Sequence, residues 1–237
     1  MNKASSKRMR LVALSMVFSL GVGLSGCNNN GSITGPTDSD HNVSINFKAG
    51  NGTINKVTTN TLVIESAKIL LKNVKFKHVS SDDSADVKGG PLVVNLNLSG
   101  SVNEVTVARI ASAAYDRIRF RLHKPEDAEP IPDPEFRDGS SGDLRYSVIV
   151  RGTFNERSFV YKSRENAEQE IRLISPIIVS DDGVVSVTLI VDPYGWFEQN
   201  GDYQDPANPN NAGNIDNTIR ASFALGFKDN DRNGEPD

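Results

Sequence analysis

The sequence is poor in the residues that build covalent links and zinc sites. It contains one cysteine and three histidines in 237 residues. A single thiol cannot form a disulfide within the chain, so no disulfide framework staples the fold. The histidines are His41, His78 and His123, and no two of them have the i, i+4 spacing of a zinc site. We therefore expect neither cysteine chemistry nor a zinc centre.

The N-terminal apolar segment is too short to be an ordinary membrane-spanning helix. Segment 11–24 has fourteen residues, whereas a spanning helix needs about 20. Basic residues precede it and small residues follow it, which is typical of a secretory signal peptide over residues 1–26. An uncleaved anchor and an ordinary secretory signal are the alternatives. The basic residues are Lys3, Lys7, Arg8 and Arg10.

The sole cysteine closes the run Leu24-Ser25-Gly26-Cys27. This run resembles the signal of a bacterial lipoprotein. The resemblance implies that Cys27 receives a diacylglycerol and an acyl lipid and becomes the new N-terminus, so that the lipid anchors the protein to a membrane. Asn28 follows the cysteine, which in lipoprotein sorting implies the outer membrane of a Gram-negative cell envelope.

The processed chain is acidic. Removing residues 1–26 takes away four of the 26 Lys and Arg residues and none of the 30 Asp and Glu residues, which leaves a formal charge of −8. Phosphate backbones require a basic face, so we expect no nucleic-acid partner. Residues 27–41 are polar and rich in Asn, Gly, Ser and Asp. They are predicted to form a flexible tether behind the lipidated cysteine.

From residue 42 onward the hydrophobic pattern has a period of two. In segment 115–122, Ile118, Phe120 and Leu122 alternate with three arginines, as in a half-buried strand. About ten such segments predict an all-β domain over 42–228, an antiparallel β-sandwich with a closed barrel as the alternative. Segment 62–79 is long enough to break into two strands, and segment 219–227 is predicted to be the last strand.

Two stretches interrupt this pattern. Segment 125–143 contains four prolines with acidic and Gly/Ser residues. It is either a boundary between two small modules or a long crossing loop, and the lack of a stapling cysteine favours the loop. Segment 198–217 is almost entirely polar, and loops of this length are usually either functional or disordered. A solvated or disordered loop is the favoured prediction.

The last nine residues predict a calcium site. Oxygen side chains stand at positions 1, 3, 5 and 9 of a loop with glycine at position 6, and position 7 offers a backbone carbonyl. This spacing resembles the aspartate-rich calcium loops of thrombospondin type 3 repeats. A further carboxylate must complete the shell, and a solvated acidic tail is the alternative. The predicted ligands are Asp229, Asp231, Asn233, Glu235 and Asp237.

Two weaker candidates for binding surfaces lie within the strands and turns. Tyr194, Trp196 and Phe197 form a turn that either exposes a ring platform to a sugar or protein, or is buried as a plug, which we favour. The second is the row Arg117, Arg119 and Arg121. This row could bind an anionic glycan or a lipid headgroup. The favoured alternative is that its side chains pair across strands with Glu168 and Glu170.

Part of the chain resembles a family of uncharacterised bacterial lipoprotein domains. The resemblance rests on Gly90-Pro91-Leu92-Val93-Val94-Asn95-Leu96, on segment 105–110 and on the strand 114–122. It covers residues 42–123 and implies a transthyretin-like or immunoglobulin-like sandwich without an assigned activity. The family's Pro-Ala-Gly turn is replaced here by Ala111-Ser112-Ala113-Ala114.

Three functions are compatible with these features. The favoured one is a non-catalytic envelope lipoprotein that binds a glycan or protein partner. The second is a structural or assembly component stabilised by calcium. The third is a hydrolase of envelope polysaccharide, which needs two carboxyl groups in one cleft. No nucleophile motif or phosphate-binding glycine loop is present in the sequence, so a non-enzymatic role is predicted.

Overall fold

The computed structural model describes residues 41–50, 59–138, 144–223 and 225–237. Most of them lie in strands, which confirms the all-β class. The strands are β1 Val43–Ala49, β2 Leu62–His78, β3 Ser84–Lys88, β4 Leu92–Asn95, β5 Asn103–Ala108, β6 Ala113–Leu122, β7 Val148–Phe154, β8 Arg157–Ser163, β9 Ala167–Val179, β10 Val185–Val191, β11 Glu198–Gln199, β12 Asp202–Tyr203 and β13 Leu225–Lys228. The helix α1 spans Ala212–Ala221, and short 3-10 helices span Pro134–Phe136, Gly195–Phe197 and Pro209–Asn211.

Eleven of these strands belong to one sheet. Its main path runs β5-β1-β10-β13-β9-β6-β2-β7-β8, and β3 and β4 pair with β2 beside that path. Asn103 of β5 donates a side-chain hydrogen bond to the carbonyl oxygen of Asn95 in β4 (3.4 Å). The sheet is therefore curled, because its β5 edge returns to the strands beside β2.

The sheet is mixed, so the prediction that every strand pair is antiparallel is wrong. Strands β1 and β10 are parallel along seven residue pairs, and β13 is parallel to β9. Alternating hydrophobicity indicates which face of a strand is buried, but it does not indicate the direction of the neighbouring strand. Strand β1 is buried on both faces, as expected of a strand in parallel pairing.

Strand β2 joins two parts of the sheet. It pairs with β7 in its first half and with β6 in its second half, whereas β3 and β4 occupy the opposite edge. Its ladders are irregular between Ile64 and Ser66 and between Lys72 and Lys75, and Asn73 has a positive φ of 56°. Such bulges bend and twist a strand. One continuous strand thus replaces the two that the length of segment 62–79 suggested.

Strands from both sides of segment 125–143 contribute to the same core. Phe47, Phe76 and Phe120 precede this segment, Val187 and Trp196 follow it, and all belong to one buried apolar cluster. Backbone ladders also cross the segment, because β2 pairs with β7 and β6 pairs with β9.

The described part of segment 125–143 packs against the sheet. Phe136 is fully buried in a small apolar cluster that also contains Leu70 and Ile149. Lys68 of β2 forms an ion pair with Glu135 in the same 3-10 helix (2.8 Å). Apolar burial and paired charge therefore hold this loop on the outer side of β2.

Segment 198–217 is ordered, contrary to the favoured prediction of a solvated or disordered loop. It forms the β11–β12 hairpin and most of α1, whose Ile215 and Ile219 are fully buried. The Tyr161 hydroxyl of β8 donates a hydrogen bond to Asp216 (2.8 Å). Helix α1 also occupies positions 219–221, so the predicted strand 219–227 is reduced to β13. Among the described helices, none has the length and apolar character to cross a membrane.

Candidate metal centre in the C-terminal loop

Residues 229–237, here called the terminal loop, follow β13 and fold back on it. The backbone N–H of Asp229 donates to the carbonyl oxygen of Ser186 in β10 (2.9 Å). The backbone N–H of Asp237 donates to the carbonyl oxygen of Lys228, the last residue of β13 (3.1 Å). Both ends of the loop are therefore fixed beside the same strand end.

This folding brings three of the predicted ligands together. Asp229, Asp231 and Asp237 each offer a carboxylate oxygen, and these oxygens lie within 4.8 Å of one another. Asp229 is buried, whereas Asp231 and Asp237 are exposed. The arrangement is a group of carboxylates with one inner member and two outer members that are open to solvent.

Asp229 carries a buried oxygen without a hydrogen-bond partner among the described residues. Its Oδ2 accepts hydrogen bonds from the Thr188 hydroxyl (2.6 Å) and the Gly234 N–H (3.1 Å), whereas its Oδ1 has no partner. Asn46 of β1, which pairs with Thr188 of β10, also has a buried Oδ1 without a partner among the described residues. An unsatisfied buried polar atom is costly. Sequence spacing did not reveal Thr188, because it lies 41 residues before Asp229.

Asp237 is held in its ionised form. A hydrogen bond from the Lys228 ammonium (2.9 Å) lowers the pKa of Asp237, and the Asn230 N–H adds to this effect against the opposing influence of burial. A carboxylate that stays charged is the form that binds a hard cation. The Lys228 ammonium occupies one of its oxygens, so a cation at this site shares Asp237 with that ammonium.

Asn233 and Glu235, the other two predicted ligands, lie outside the group of three carboxylates. Asn233 Oδ1 accepts the Glu235 N–H (2.7 Å), and Asn233 Nδ2 donates to Asp231 Oδ2 (2.9 Å). The Glu235 side chain is exposed, and its carboxylate does not belong to the group of three. Asn233 instead fixes the turn around Asp231, because its side chain is taken up by local hydrogen bonds.

The terminal loop is also tied to strands from the start of the domain. Lys48 Nζ of β1 donates to the carbonyl oxygen of Gly234 (3.1 Å), and Arg232 forms an ion pair with Glu104 of β5 (2.7 Å). Arg232 and Gly234 have positive φ values of 57° and 80°, which turn the chain towards these contacts. The loop therefore covers the polar face of β1 and β10.

The aromatic turn is a buried plug. Trp196 and Phe197 are fully buried, and Tyr194 is half-buried. The Trp196 indole N–H donates to the Ser222 hydroxyl at the end of α1 (2.7 Å), and Phe197 meets the Tyr161 ring edge-on. Trp196 and Phe197 therefore offer no exposed ring to a sugar or protein, which corrects the exposed-platform alternative.

The arginine row on β6 pairs across strands, as the favoured prediction stated. Arg119 forms ion pairs with Glu170 (2.6 Å) and Glu168 (3.4 Å) of β9, and Arg117 also reaches Glu170 (3.4 Å). The hydrogen bond from Arg119 lowers the pKa of Glu170, against the effect of partial burial. The backbone of Arg121 pairs with Lys72 of β2 and Glu168 of β9, but its side chain makes no hydrogen bond or ion pair with the described residues.

Neither the described residues nor the comparisons with known proteins test the lipidation of Cys27 or the family resemblance. Cys27 and most of the tether lie outside the described residues. No protein-family model matches the chain, and no curated protein and no solved structure matches it significantly. The resemblance to transthyretin-like lipoprotein domains stays a prediction, and functional inference depends on the residues of this chain.

Proposed function

We propose that this chain is a lipid-anchored, non-catalytic protein of the cell envelope whose β-domain is completed by a calcium ion in the terminal loop. Cys27 carries the lipid in this proposal, and the polar tether holds the domain off the outer membrane. The domain then presents its surface to a glycan or protein partner. A relationship to transthyretin-like sandwich domains belongs to the same proposal.

The observation that carries the calcium assignment is the buried, unpartnered Oδ1 of Asp229. A carboxylate oxygen removed from water needs a donor or a cation. Asp231 and Asp237 supply further oxygens within 4.8 Å, so a cation there offsets the repulsion among three negative charges as well as the cost of burial.

The donor chemistry favours calcium over other metals. All three side chains offer carboxylate oxygens, which are hard ligands, and no cysteine or histidine is in the group. Calcium accepts six to eight oxygens in flexible geometry and tolerates waters and backbone carbonyls in its shell. The two exposed aspartates, Asp231 and Asp237, leave room for such waters.

Calcium at this position stabilises the strands to which the loop is bonded and not only the loop. Asp229 is bonded to Thr188 of β10, and the loop is bonded to Lys48 of β1 through Gly234. A ligand that binds only the folded state stabilises that state in proportion to the logarithm of its concentration. Calcium therefore raises the free energy of unfolding of the domain to which the loop is fixed.

The test is thermal unfolding of the purified chain in EDTA and in increasing calcium. At a calcium concentration about 100 times the dissociation constant, we expect the melting temperature to rise by roughly 5–10 °C. Asp231→Ala removes an exposed ligand and should abolish most of this shift. Asp229→Asn removes the inner charge and should do the same.

Glu235→Ala is the matched control, because Glu235 is an acidic residue of the same loop whose carboxylate lies outside the group. It should keep the full calcium shift. A wild-type melting temperature that does not respond to calcium contradicts the proposal, as does a shift that survives in both aspartate variants.

A further inference from the structure

The outer face of β2, β6 and β9 contains a cleft that the terminal loop does not touch. Its volume is about 320 Å³, which is within the range of small-molecule sites. Side chains of β2 and β6 line it. Asn73, in the irregular part of β2, and Ser84, at the start of β3, also belong to its lining.

The cleft is positively charged within an acidic domain. Four cationic side chains line it against two carboxylates, whereas the processed chain as a whole has a formal charge of −8. A concave surface with one sign of charge concentrates the field and attracts ions of the opposite sign. The cations are Lys75, Lys77, Arg119 and Arg121, and the carboxylates are those of Asp82 and Glu168.

The four cationic side chains differ in how strongly they are paired with carboxylates of the protein. Lys77 is almost fully buried and is held by Asp82 (3.4 Å), and Arg119 is paired with β9. Among the described residues, the only ion-pair partner of Lys75 is Asp86 (3.2 Å), whose side chain is 70% exposed. The Arg121 side chain has no hydrogen-bond or ion-pair partner among the described residues, although its backbone pairs with Lys72 and Glu168. The cleft therefore holds the guanidinium of Arg121, which no described side chain engages, beside the weakly engaged ammonium of Lys75.

We propose that this cleft binds an anionic saccharide, with the acidic group of a sugar ring accepting a bidentate hydrogen bond from Arg121. Arg is suited to this role because its planar guanidinium matches a carboxylate or sulfate oxygen pair. Lys75 contributes a second positive charge. Asn73 and Ser84 offer the amide and hydroxyl groups that bind sugar hydroxyls.

The observations favour a sugar over a membrane surface. The lining is mostly polar, and its one aromatic residue, Phe120, has a fully buried side chain, so no apolar wall accepts an acyl chain. The acidic domain as a whole is repelled by an anionic bilayer or a long polyphosphate. A short acidic sugar segment needs only the local positive potential of the cleft. This inference rests on the proposed role in glycan binding but not on the calcium site.

The experiment is isothermal titration of the purified chain in EDTA with three oligosaccharides of equal length: a uronic acid oligomer, a sulfated oligomer and a neutral one. EDTA prevents calcium from bridging carboxylates, so the result does not depend on the terminal loop. We expect at least one acidic oligomer to bind, the neutral one to bind much more weakly, and salt to reduce the affinity. Comparison of the two acidic oligomers identifies the acid group.

Arg121→Ala should lower the affinity by roughly tenfold, because it removes a charge-assisted hydrogen bond. The variant should fold normally, since the Arg121 side chain makes no hydrogen bond or ion pair with the part of the chain that the structure describes. Arg157→Ala is the matched control: Arg157 is 76% exposed at the start of β8, outside the cleft, and its loss should leave the affinity unchanged. Equal binding of neutral and acidic oligomers overturns the proposal. So does equal affinity in the two variants, or binding to anionic lipid vesicles in the absence of binding to either acidic oligomer.

Discussion

Glu129 is a residue whose ionisation should govern the acid stability of the fold. Burial opposes its charge, but hydrogen bonds from His123, Lys72 and the backbone N–H of Glu126 outweigh that effect and lower the pKa of Glu129 from 4.5 to about 2. Its carboxylate lies 2.6 Å from Lys72 Nζ. A folded pKa below the unfolded value means that this stabilisation is complete above about pH 4.5 and is lost as the pH falls towards about 2.

Glu129→Gln should therefore destabilise the protein at neutral pH, by on the order of 2 kcal/mol, and by much less at pH 2 or below. Urea unfolding at the two pH values measures the difference. Glu126→Gln is the control, since the Glu126 side chain is 72% exposed and lies 3.9 Å from Lys72; it should have little effect at either pH. A constant difference between wild type and Glu129→Gln across this range would contradict the predicted role.

At the scale of residues, the sequence predicted part of the candidate metal site. The spacing of Asp229, Asp231 and Asp237 follows from local chain geometry, and the structure brings these residues together. The role of Asn233 depends on a hydrogen bond within the turn, and that of Thr188 depends on strand β10. Neither contact is encoded in the spacing of oxygen side chains, so neither was predictable.

Gly152 is required by the contact between β7 and β2. A Cβ atom at this position would lie 1.9 Å from the carbonyl oxygen of Val63, where the ladder of β2 is irregular between Ile64 and Ser66. Backbone atoms cannot give way as a flexible side chain can. Gly152→Ala should therefore lower the free energy of unfolding by about 3 kcal/mol or prevent folding.

Gly213→Ala is the control for that substitution. Gly213 lies in α1, and a Cβ there would have no atom within 4 Å. Alanine has a higher helix propensity than glycine, so this variant should be as stable as the wild type or more stable by up to about 1 kcal/mol. Chemical denaturation of both variants checks the contrast, and similar stability of the two would show that the close approach of β7 to β2 is not required.

Strands whose hydrophobicity alternates with a period of two were predictable from the sequence. Short strands and the mostly polar helix α1 were not. Segment 115–122 forms most of β6, because half-buried strands expose one face. Helix α1 has only two fully buried apolar positions, Ile215 and Ile219, in a polar stretch. The β11–β12 hairpin was missed although Asn200 and Gly201 carry the signal: both have positive φ, as a two-residue hairpin turn requires.

At the scale of the whole molecule, the neighbours of each strand were the least predictable feature. The parallel pairing of β1 with β10 joins residues about 140 positions apart. Such pairing follows from how buried faces fit together in three dimensions, and a local pattern does not encode it. The same long-range pairing places the terminal loop on strands from both ends of the domain.

This shared architecture predicts that the domain unfolds as one cooperative unit. Trp196, the sole tryptophan, is fully buried in the core that also contains Phe47 and Phe120. Its fluorescence reports that core, whereas far-ultraviolet circular dichroism reports strands throughout the described domain. Unfolding in urea should give the same midpoint by both probes, because coincident transitions are expected of a two-state domain.

Two small modules separated at segment 125–143 would behave differently. Strands β1 to β6 would then lose circular dichroism in a transition that Trp196 does not report. The terminal loop provides a second test of cooperative unfolding, because it is hydrogen-bonded to Lys48 of β1 and Thr188 of β10. If calcium binds there, it should move both midpoints by the same amount in the wild type and leave both unmoved in Asp231→Ala. A calcium shift seen by only one probe would show that the strands on the two sides of the segment unfold independently.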